Sequence, residues 1–116
     1  MLWEGNMTLT TPTITYHAPR DFDERAEYEM ELKGHLCGGQ VELADGRRFP
    51  ITFFDPVRLS QELEMTSKRG ERAFIEPGLV VISDVTREVI FETLPALIRE
   101  GFFDHLRPVE ANGVAH

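Results

Sequence analysis

The sequence predicts an α+β domain: two layers, with a mixed, mostly antiparallel sheet built on a three-stranded meander. Three observations lead there. Apolar and polar residues alternate with period two from Glu27 to Leu36 and, in the opposite phase, from Val41 to Phe53, the mark of strands with one buried face. Two segments, after Asp55-Pro56 and around Thr86, open on helix-start signals and carry apolar residues at helical spacing. Between them lies a continuous apolar run, Leu79-Val80-Val81-Ile82. The expected order is (β)βββαβα within one domain spanning 1–116.

Residues 1–12 read as a loose N-terminal arm, and Thr13-Ile14-Thr15-Tyr16 as a first strand bounded by Pro12 and Pro19. In the meander, Tyr28, Met30, Leu32 and Leu36 are apolar at even positions, while Val41, Leu43, Phe49, Ile51 and Phe53 are apolar at odd ones. The phase changes at Gly38-Gly39. Either a two-residue hairpin turn or a bulge inside one long bent strand produces that change. The hairpin is the preferred expectation, because paired glycines tolerate the positive φ angles of a two-residue turn. It would set Leu36 opposite Val41 and His35 opposite Glu42. At the next turn, a two-residue Asp45-Gly46 loop would oppose Glu42 to Phe49. A three-residue loop, Ala44-Asp45-Gly46, restores Val41 opposite Phe49 and places Gly46 at a left-handed bulge position. Packing favours this second register.

Asp55 is an N-cap acceptor followed by proline at the first helical position, and Lys68, Arg69 and Gly70 form a basic last turn and a stop. The run Leu79–Ile82 has the pattern of a strand buried on both faces. The last helix spans roughly Thr86 to Glu100, with Val89, Ile90, Leu94, Leu97 and Ile98 as its stripe and a kink expected from Pro95. If the fourth strand runs parallel to the third, both helices cover one face of the sheet. The tail 108–116 reads as frayed.

The charge is uneven. The formal net charge is -8, and Asp21, Asp23, Glu24, Glu27, Glu29 and Glu31 face only Arg25 in their segment. Such a chain is a poor nucleic-acid binder, since phosphate contacts dominate that affinity, but it suits a basic protein partner. No run approaches the ~20 apolar residues of a membrane span, and the start lacks the pattern of a signal peptide. The single cysteine, Cys37, excludes an internal disulfide and fits a reducing, cytoplasmic setting. No cofactor motif and no metal-ligand spacing is present.

Two groups of residues are candidates for chemistry. Pairing His35 with Glu42 and Glu42 with Arg48 lines three polar side chains across adjacent strands, with Lys33 diagonal to them. Such a row binds an anion or forms a solvated charge ladder. His35 and Cys37 are a candidate imidazole and thiol, against which stands a plain structural cysteine near a turn. His17 and the Asp104-His105 pair lack ligand spacing. The function expected on this basis is non-enzymatic protein binding, as a homodimer, with a small acidic inhibitor of a basic partner as its specific form. The alternative is a small enzyme or anion-binding protein using His35, Glu42 and Arg48.

Overall fold

The computed structural model describes residues 8–109. Their elements are β1 (Thr8–Thr10), β2 (Ile14–His17), α1 (Glu24–Lys33), β3 (His35–Leu43), β4 (Arg48–Phe54), α2 (Pro56–Lys68), β5 (Leu79–Val81) and α3 (Arg87–Arg99). The strands form one five-stranded sheet in sequence order. The first four pair antiparallel and β5 pairs parallel with β4. The fold is therefore α+β with a mixed, mostly antiparallel sheet, as its sequence predicts. Within the expected loose arm, Thr8–Thr10 form β1 and bury Leu9; residues 1–7 and 110–116, including most of the expected frayed tail, lie outside the described residues.

The first meander strand is different. The segment expected as a strand through Glu27–Leu36 is helix α1 up to Lys33. Asp23 caps it by accepting a hydrogen bond from the Ala26 N–H at 2.8 Å, and Gly34 ends it in the left-handed region at φ 71°. Arg25, Glu29 and Lys33 form a chain of i,i+4 ion pairs along one edge, at 3.3 and 3.5 Å. Only Met30 and Ala26 turn toward the core. Period two arises here because Tyr28 and Leu32 are apolar but face outward. The meander's first strand is instead Ile14–His17.

Gly38-Gly39 is not a hairpin turn. The strand runs on and bulges one residue earlier, at Cys37-Gly38, which together oppose Thr52 alone between the pairs Leu36↔Phe53 and Gly39↔Ile51. The tyrosine of β2 explains the glycine at 39. A β-carbon there would overlap the Tyr16 hydroxyl, which lies over this position. The phase change keeps Leu36 and Val41 on the core side, and it moves His35 away from Glu42 to a position opposite Phe54.

The second turn has the expected register. Val41 opposes Phe49 and Glu42 opposes Arg48, and Gly46 takes φ 91° with no atom close enough to obstruct a side chain. α2 starts at Pro56 with Asp55 as cap, 2.7 Å from the Arg58 N–H. α3 starts after Thr86, whose hydroxyl accepts from the Val89 N–H, and it continues through Pro95.

The core consists of Leu9, Ile14, Tyr16, Val41, Phe49, Ile51 and Phe53 from the sheet, covered by Met30 of α1 and by Ile90, Leu94 and Leu97 of α3. Phe103 closes it by stacking on Phe49 at 5.0 Å. Phe54 points to the other face, where it meets Phe74 at 5.7 Å and the Arg58 guanidinium of α2 at 6.0 Å. The two helices expected on one face are thus divided between the faces. β5 is an edge strand and not a doubly buried one: Val80 packs on the core, whereas Val81 is 44% exposed. No helix among the described residues is long and apolar enough to cross a membrane.

Candidate functional site

On the open face of the sheet, Glu42 and Arg48 stand side by side as expected, but the histidine beside them is His17. Its Nε2 lies 2.9 Å from Glu42 Oε1, and Arg48 Nη2 donates to the same oxygen at 3.0 Å. Arg48 Nη2 is also 3.2 Å from His17 Nε2. A lone pair on Nε2 would face the carboxylate oxygen and repel it, so Nε2 carries a proton directed at Glu42. The guanidinium and the imidazole are then two donors sharing one acceptor. These hydrogen bonds, His17's first and Arg48's second, hold the Glu42 carboxyl below the usual carboxylate range. Because Glu42 already occupies both donors, the row is internally neutralised and offers an incoming anion little. Alternation in Ile14–His17 puts Thr15 and His17 on the polar face, and that was the signal available in the sequence.

His35 lies at the other end of β3 together with Cys37. Burial lowers the His35 pKa, and the nearby Arg58 and Lys33 charges lower it further. Burial raises the Cys37 thiol pKa, and the Glu76 carboxylate adds to the rise. Both shifts favour the neutral forms, whereas a thiolate–imidazolium pair needs the opposite ones. Cys37 contacts Thr52, whose hydroxyl donates to Glu76 at 3.0 Å. His35 and Cys37 also form part of the wall of a cleft of about 350 Å³ floored by Phe22, Met30 and Leu36. At its rim, Lys33 pairs with Glu29 at 3.5 Å. His105 lies in the turns after α3. Among the described residues, no group of three or more His, Cys, Asp or Glu is placed to hold a metal ion.

The third region was hidden by reading α1 as a strand. On the outer side of this helix, Tyr28 is 61% exposed and Leu32 73% exposed, one turn apart. Glu24, Glu27 and Glu31 run along one flank of this pair, while the opposite flank is the self-paired Arg25–Glu29–Lys33 edge. Glu27 is mostly buried and ties α1 to the start of α3, with Arg87 Nε 2.8 Å from its Oε2. The acidic flank, the two apolar side chains and Arg87 line a groove of about 460 Å³. An exposed aromatic and an exposed leucine thus stand adjacent, with carboxylates along one flank and a self-paired charged edge along the other. Comparison with known proteins finds no match to this chain, whether among family models, curated proteins or solved structures.

Proposed function

We propose that the chain is a non-enzymatic protein-binding module that docks a basic partner on the outer face of α1. The observation that carries this is the pair Tyr28 and Leu32, exposed on successive turns beside Glu24 and Glu31. Apolar anchors supply burial on binding, and the acidic flank steers and selects a cationic surface. The shifts at His35 and Cys37 run against a thiolate–imidazolium nucleophile. Cys37 is an exposed free thiol, which a reducing compartment such as the cytoplasm maintains.

A phage-displayed peptide library tests the proposal. Selection on the wild-type chain should enrich basic peptides with an apolar anchor, and Tyr28→Ala with Leu32→Ala should abolish their binding. Raising the salt concentration should weaken it. Enriched peptides that bind the double variant equally well would remove α1 from the account.

Self-association is a separate proposal. Phe74 and Arg58 of α2 cover Phe54 on the second face of the sheet, so apolar sheet surface does not supply its motive. What supports it is Val57, Met65 and Ile75, all exposed. Light scattering that reports a monomer at high micromolar concentration would end it.

A further inference from the structure

The groove beside α1 already shows how it treats a guanidinium. Arg87 reaches across from α3 and meets Glu27 twice, with Nε 2.8 Å from Oε2 and Nη2 donating to Oε1 at 3.3 Å. Glu24 precedes Glu27 by three positions and Glu31 follows it by four, so both lie on the same helix edge, one turn to either side. Neither has an ion-pair partner among the described residues. Between them, Tyr28 presents an exposed ring and Leu32 an exposed aliphatic surface.

This inference rests on the docking role of α1 and names what is docked. We propose that the groove reads an arginine side chain of a partner segment. The guanidinium pairs with Glu31 or Glu24, as Arg87 pairs with Glu27, and the stem lies against Tyr28 and Leu32. A planar guanidinium presents a fork of donors to a carboxylate and stacks on an aromatic face. A lysine ammonium is a compact, more strongly hydrated charge and does neither as well. The opposite edge of α1 does not compete, because Arg25 and Lys33 both hold Glu29 there. The selection is therefore for shape as well as for charge.

Three labelled synthetic peptides test this: one with two arginines flanking a leucine, one with lysines in their place, and one with neutral citrullines. Fluorescence anisotropy should show the arginine peptide binding about fivefold more tightly than the lysine peptide, with the citrulline peptide weakest. Tyr28→Ala should weaken the arginine peptide by about threefold, the scale of an exposed cation–π contact. Glu24→Gln combined with Glu31→Gln should erase the preference for arginine over citrulline. Amide NMR shifts should map to 24–32. Glu24, Tyr28 and Glu31 are exposed, so unchanged thermal melts will confirm that the variants fold. Equal binding of the arginine and lysine peptides, or indifference to Tyr28→Ala, overturns the inference. If the displayed library yields α1-dependent peptides that lack arginine, the docking role stands and this inference falls. If it yields none that depend on α1, both fall.

Discussion

Helices α1 and α3 are similar in kind but use their apolar residues in opposite ways. α3 turns Ile90, Leu94 and Leu97 inward onto the sheet and leaves only Ile98 of its stripe exposed. α1 buries Met30 and packs Ala26 beside it, but sends Tyr28 and Leu32 into solvent. Caps, i,i+4 ion pairs and the Glu27–Arg87 tie add to the burial of Met30 in holding α1 in place. An apolar residue that the fold does not use for its own stability is available for another molecule. This difference is what makes α1 the functional candidate and α3 a structural element.

The largest effect expected from this contrast is at Leu94. Leu94→Ala should cost about 3 kcal/mol, as for other fully buried leucines, whereas Leu32→Ala should change stability by less than about 0.5 kcal/mol. Urea denaturation of both variants measures the difference, and comparable losses would erase the distinction between the helices. Next comes Gly34→Ala. Its β-carbon would overlap the Asp55 carboxylate, the cap of α2, and its left-handed φ disfavours any side chain. A loss of about 2 kcal/mol is expected, and a neutral result would show that the end of α1 is not fixed there. Glu27→Gln follows, at about 1 kcal/mol, since it weakens the tie between α1 and α3 without creating a cavity.

The smallest effect lies outside both helices. Glu42's carboxyl titrates lower in the folded chain than in the unfolded one. Its contribution is therefore complete above the usual carboxylate range and is lost as pH falls through the folded value. The melting temperature of Glu42→Gln should sit slightly below wild type at neutral pH, because the pair is largely solvent-exposed. The gap should close on acidification. A gap that does not vary with pH would contradict the hydrogen-bonded row.

Legibility in the sequence followed the same contrast. Where apolar residues serve the core, their spacing reveals them: the Val41↔Phe49 register, the Gly46 loop, the α2 cap at Asp55 and the stripe of α3 except for Ile98, which faces solvent, all agree with the structure. Where apolar residues face water, spacing misled. Tyr28 and Leu32 fell into phase with Met30 and imitated a strand, while the true signals were punctuation: Asp23 and Glu24 at the start, Lys33-Gly34 at the stop. That error then passed to the site, because a hairpin at Gly38-Gly39 carried His35 to Glu42, and the bulge carries it to Phe54 instead. His17 was missed because its short strand had been assigned no partner. A residue pattern that conflicts with its local fold is itself a sign of function.

The sheet is long in the middle and short at its margins. β3 runs through His35–Leu43, but the outer strands β1 and β5 have three residues each. A foreign strand added to either margin would find only a few main-chain groups to pair with among the described residues. Recruitment by strand addition, the commonest way for a sheet to capture an extended peptide, is thereby discouraged, and so is edge-to-edge aggregation.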